Sequence, residues 1–121
     1  MDATKVNKSA LFLLITLTSA SAFAQVPDAV AGKRVFENWC AACHAAGPKH
    51  PGTGALQALY KGEKPAPLEQ RLNLSPDFIA AFVRQGVSIM PFFRKTEVSD
   101  KDLLDLSTYL SPSAAKIRDN P

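Results

Sequence analysis

Cysteine, histidine, methionine, long apolar runs and charge of a single sign are all scarce in this sequence, and each shortage removes a class of protein. Of 121 residues only two are cysteines, two histidines and two methionines, and the formal net charge is +3. A structural zinc site needs four ligands, and beyond Cys40, Cys43 and His44 only His50 remains among cysteines and histidines, with no second CxxC pair. So even a charge balance makes no case for nucleic acid as a partner, nor for an anionic membrane. No alternating pattern of useful strand length and no internal repeat occur, so the reading is all-α.

The first residues read as an address rather than as structure. Lys5 and Lys8 give a positive start, Ala10 to Leu17 form an apolar run broken only by Thr16, and Ala22, Phe23 and Ala24 supply a small-x-small cleavage pattern. The run falls well short of the ~20 residues that cross a bilayer. Residues 1–24 are therefore expected to be a secretory signal peptide, with residues 25–121 as one mature domain in the periplasm, an oxidising compartment. Loss of Lys5, Lys8 and Asp2 lowers the net charge by one. No second apolar segment offers a membrane anchor. A domain this short has little core of its own, and a bound cofactor would help it fold.

Within the mature chain, Asp28 is placed to cap a helix running through Val30, Val35, Phe36 and Trp39 into the cysteines. Between residues 45 and 74, Pro48, Pro51, Pro65, Pro67 and four glycines predict loop, with a short helical piece at Ala55 to Tyr60. Ser75 and Pro76 form a strong helix start, Phe78, Ile79, Phe82 and Val83 its apolar face, and Gly86 its C-cap. Ser99 and Asp102 resemble a capping box for a last helix with Leu103, Leu106, Tyr109 and Leu110 as its stripe and Pro112 as its stop.

Cys40, Cys43 and His44 spell CxxCH. Thiols three apart near a helix end project from one side, where they can add to the two vinyl groups of one porphyrin, and the adjacent histidine then lies under the iron. This is a c-type haem attachment signal, and it predicts one covalent haem c. A thioredoxin-like pair would need a βαβ context, and a plain disulfide would leave His44 unexplained.

The sixth iron ligand follows by elimination. Met1 leaves with the signal, so Met90 is the only thioether in the mature protein, on a segment stiffened by Pro91. The competing role is that of a gap-filling core methionine. His50, six residues after His44, would have to pass around the edge of the macrocycle and is expected to be a loop histidine. Pro51 is the expected acceptor, through its carbonyl, of the second N–H of His44, with Pro48 as the alternative. Phe92 and Phe93 either pack in the core or form an interaction patch.

Gly32, Lys33, Phe36, CAACH, the Met-Pro loop and Tyr109 together resemble a class I cytochrome c, a likeness spanning nearly all of residues 30 to 110. It implies that the first and last helices cross through Gly32, Phe36 and Tyr109, in a small fold of three to five helices around the haem. The stretch from Phe82 to Leu110 also resembles the cytochrome subunits of flavocytochromes that oxidise para-alkylphenols, of the p-cresol methylhydroxylase and eugenol hydroxylase type. That likeness implies a flavoprotein (FAD) subunit as electron donor, facing Ile89, Phe92 and Phe93, and a further electron acceptor downstream. Residues 45 to 74 depart from it, being longer and richer in charge than the loop of the p-cresol type. The chain would not be catalytic on its own. A freely diffusing respiratory cytochrome is the alternative, and a five-coordinate haem sensor or peroxidase is the alternative from another class.

Overall fold

A computed structural model describes residues 25–112; the expected signal peptide lies outside them. Asp28 does cap the first helix, its side chain accepting from the backbone N–H of Val30 at 2.8 Å and of Ala31 at 3.1 Å. The helix α1 (Ala29–Val35) runs without a break into a π-helical turn, Phe36–Cys40, and then into α2 (Ala41–His44). The wider turn is a device that sequence periodicity does not reveal, and such turns often stand at functional sites. It ends on the first cysteine.

The next helix is longer than expected. Instead of a short piece at Ala55, α3 spans Pro51–Tyr60. Pro51 sits in the first turn, where a missing N–H costs nothing. Gly52 and Gly54 lie inside the helix instead of marking loop, and for Gly52 the reason is contact: a Cβ there would come within 2.8 Å of both the Cys43 carbonyl and the His44 ring. A 3₁₀ turn, Leu68–Gln70, precedes α4 (Pro76–Gln85), which Ser75 caps through the N–H of Phe78. The last helix, α5 (Asp100–Leu110), opens with the full capping box between Ser99 and Asp102. Among the described residues the only strand-like feature is the isolated bridge between Val87 and Met90.

The frame is the crossing of α1 and α5. Gly32 lies directly on α5: a Cβ at that position would overlap the Asp105 carbonyl and reach 2.8 Å from Cβ of Tyr109. One turn later Phe36 meets Tyr109 with ring centroids 5.9 Å apart. Val35, Phe36, Leu74, Ile79, Val83, Val98, Leu106 and Leu110 complete the core. A polar tie that the sequence pattern does not disclose locks the crossing: buried Asp105 accepts from the Asp28 N–H at 2.9 Å and pairs with Lys101. The Tyr109 hydroxyl donates to Glu69, joining α5 to the 3₁₀ turn. Gly32→Ala should cost about 3 kcal/mol or more, because neither backbone can retreat without opening the crossing. A drop in the thermal midpoint of holoprotein checks this, and an unchanged midpoint would mean that the crossing tolerates a methyl group.

Candidate functional site

The pieces from α2, α3, α4 and the segment after α4 enclose an apolar cavity of about 460 Å³. Its lining brings Cys40, Cys43, His44, Pro51 and Met90 together, the five residues singled out from sequence. The remainder of the wall is largely aliphatic and aromatic, including Leu56, Leu59, Phe78 and Ile89. Leu59 and Ile89 are exposed at 68% and 80%, so apolar surface faces this space that the fold itself does not cover. A volume of this order holds a drug-sized or larger ligand.

At the end of α2, two side chains from the following segment satisfy carbonyls that a helix terminus leaves unpaired. Thr53 Oγ1 donates to the Ala45 carbonyl at 2.8 Å, and His50 Nδ1 donates to the Ala42 carbonyl at 3.1 Å. His50 thus folds back onto the helix carrying the cysteines and does not line the cavity, which accords with a loop role. Burial pushes the Cys40 thiol up to about 11, with the neighbouring Cys43 contributing in the same direction. Burial also holds His44 below the usual histidine range, so its ring is neutral at pH 7 with a lone pair to give.

The expected hydrogen bond from His44 to Pro51 does not form: Nδ1 of His44 is buried and has no partner, although Pro51 does line the cavity. It is Gly52, in the first turn of α3, that lies against the Cε1–Nδ1 edge of the ring, where a Cβ would stand 2.8 and 3.0 Å away. Nε2, on the other edge, is the nitrogen left for a cofactor.

Met90 stands in a tight turn. Its backbone and that of Val87 exchange two hydrogen bonds, at 2.9 and 3.1 Å, with Ser88 in the left-handed region at φ 53°. Gly86 allows this turn to close on the end of α4. Its φ is +67°, and a Cβ there would lie 2.7 Å from the Met90 carbonyl and 2.9 Å from the Phe92 nitrogen. Phe93 then turns inward, its ring edge-on to Trp39 at 6.0 Å, whereas Phe92 remains 61% exposed. Only Phe93 is packed inward, against Trp39.

One charged residue in the lining was easy to pass over as a surface arginine. Arg71 is 3% exposed, held by Asn73 at 2.9 Å and the Tyr60 hydroxyl at 3.1 Å, with its guanidinium 4.9 Å from the Tyr60 ring. It enters none of the ion pairs among the described residues. A buried cation in an otherwise apolar wall suits an occupant that brings an acidic group. Sequence offers Arg71 only alongside Arg84 and Arg94 as a cation for haem carboxylates and does not single it out, since its partner Tyr60 lies eleven positions away.

A haem fits this lining: a large apolar body, two thiols, an imidazole, a soft thioether and a cation for its carboxylates. A chelated ion without a macrocycle does not, because among the described residues no three His, Cys, Asp or Glu side chains converge as ligands. No helix among those residues is long and apolar enough to cross a membrane.

Comparison with known proteins agrees. Residues 27–110 match the family described as cytochrome C oxidase, cbb3-type, subunit III. Cytochrome c6 of Thermosynechococcus vestitus is 35% identical over 107 residues, covering 88% of this chain and 87% of that protein. Cytochrome c6 of Thermostichus vulcanus is 34% identical with the same coverage, and cytochrome c6 of Synechococcus elongatus is 34% identical over 74% of this chain and 94% of its own length. No solved structure gives a significant match. The chain belongs to the class I c-type cytochromes, electron-transfer proteins of the cytochrome c family with one covalent haem c.

Proposed function

We propose that this chain is an exported, freely diffusing single-electron carrier, with Cys40 and Cys43 as the thioether attachments and His44 and Met90 as the two axial ligands. The observation that carries the reading is the convergence of all four side chains on one apolar cavity from two parts of the chain, residues 40–44 and the turn at Met90. The bound haem supplies an iron that cycles between ferrous and ferric states, one electron at a time. The residues do the rest. Leu56, Phe78 and the core side of Phe93 exclude water, Arg71 offers the charge that a haem carboxylate would meet, and Gly86 brings Met90 into reach. Were His44 and Met90 both to hold the iron, they would leave no place for oxygen or peroxide to bind, which disfavours a sensor or peroxidase. Export rests on the signal-like residues 1–24 and places the carrier in the periplasm.

A second reading is the subunit of a flavocytochrome acting on para-alkylphenols. In its favour, Val87, Ile89 and Phe92 project from the turn that bears Met90, at 50%, 80% and 61% exposure, and would meet a flavoprotein as an apolar patch. The relatives above are named as cytochromes in their own right, and this favours the free carrier.

One measurement tests the ligand assignment and a second separates the two readings. Reduced holoprotein should bind no carbon monoxide at neutral pH, and ready binding would remove the Met90 assignment. On gentle extraction from its source the holoprotein should elute alone, near the size of one chain. Elution with a flavin-containing protein would favour the subunit instead.

A further inference from the structure

Among the described residues Arg84 makes more side-chain hydrogen bonds than any other cation, and it does not itself line the cavity. From the last turn of α4 its Nη1 donates to two backbone carbonyls, Phe93 at 3.1 Å and Val98 at 2.8 Å, while Nη2 pairs with Asp100 at 3.0 Å. The preceding residue of α4 takes part as well: the Val83 carbonyl accepts from the Phe93 N–H at 2.7 Å. Both ends of the segment from Phe93 to Val98 are thereby fastened to one turn of one helix. Met90 lies only three residues before the fastened Phe93, and on its other side the chain returns at once to Gly86 and α4. The turn carrying Met90 is thus a short strap with both feet on the end of α4.

We infer that Arg84 is a positioning residue for Met90. By bridging the Phe93 and Val98 carbonyls it fixes the far foot of the strap, and so sets how firmly the thioether is presented. This rests on the reading of Met90 as an iron ligand. The physical ground is that a thioether is a weak ligand, so its occupancy depends on how little freedom the protein leaves it. A guanidinium suits the task because its planar fork reaches two carbonyls and a carboxylate together, which an ammonium cannot do with the same geometry. Arg94 is no substitute: its side chain is exposed and pairs with Glu97 within the segment itself, and so does not fasten it to α4.

The test is competition for the iron. Imidazole is titrated into ferric holoprotein, and the weak red charge-transfer band of sulfur ligation is followed, in wild type, Arg84→Met, Met90→Ala and the double variant. Loss of the charged hydrogen bonds should raise imidazole affinity about tenfold in Arg84→Met and weaken the band, with covalent haem content unchanged. In the Met90→Ala background the same substitution should change imidazole affinity little, since Arg84 acts through Met90. Wild-type affinity in Arg84→Met overturns the inference. So does an equal tenfold rise in the Met90→Ala background, which would mean a general loosening of the fold. If Met90→Ala itself keeps the band and the wild-type affinity, the ligand reading fails first and takes this inference with it. Should Arg84→Met not accumulate as holoprotein, Arg84→Lys carries the same comparison with an intermediate shift expected and no shift overturning it.

Discussion

Replacing Cys40 and Cys43 together by alanine is expected to abolish covalent haem attachment and to leave a chain that does not hold its native fold. Each thiol would form a carbon–sulfur bond by adding its S–H across a vinyl group, and no other cysteine exists to substitute. The effect on folding follows from the size of the space to be filled. At about 24 cal/mol per Å³, a dry cavity would cost on the order of 10 kcal/mol, here for a volume of about 460 Å³. Water entry reduces this, but the figure is of the same order as the whole stability of a small domain, roughly 5–15 kcal/mol. Few contacts would then hold α3, since among the described residues the α1 and α5 crossing is the one extensive helix pairing. The check is haem-dependent staining on a denaturing gel together with far-ultraviolet circular dichroism. Stain retained by the double variant would show that the attachment chemistry lies elsewhere.

Met90→Ala carries the second large effect, this time on the potential and not on the fold. Met90 is half-buried in a turn whose backbone closes by its own two hydrogen bonds to Val87, so truncating the side chain leaves the turn's framework in place. What would go is the sulfur proposed as a ligand, a soft donor that favours ferrous iron. Axial ligands span about 0.8 V of haem potential, and loss of this one should lower the midpoint by on the order of 0.1 V or more. The reduced variant should also bind carbon monoxide, and the red band of the ferric protein should vanish. A potentiometric titration beside carbon monoxide difference spectra reads all three. An unchanged midpoint would return Met90 to the role of a gap-filling methionine.

Much of the frame was legible in advance because it rests on short-range chemistry. Asp28, Ser75 and Ser99 each precede a helix and each caps it, as a side-chain oxygen near free N–H groups must. The crossing through Gly32, Phe36 and Tyr109 was legible too, though by resemblance and not by pattern. The glycines of α3 misled because they read as turn punctuation, whereas Gly52 lies inside a helix to clear the His44 ring. That demand comes from a neighbour in space.

The same division runs through the site. CxxCH, and a single thioether beyond the expected signal peptide, are read from spacing and composition, and so the sequence alone pointed to the cofactor and to both candidate axial ligands. Tertiary structure decided what surrounds them. It left His44 Nδ1 without the Pro51 carbonyl, buried Arg71 against Tyr60, and set Arg84 across the carbonyls of Phe93 and Val98. It also sorted Phe93 inward and Phe92 outward. Caps and attachment motifs act over a few bonds and leave a mark in the order of residues. Burial, counter-charge and the fastening of a loop depend on groups brought together from distant parts of the chain, and only the packed fold brings them.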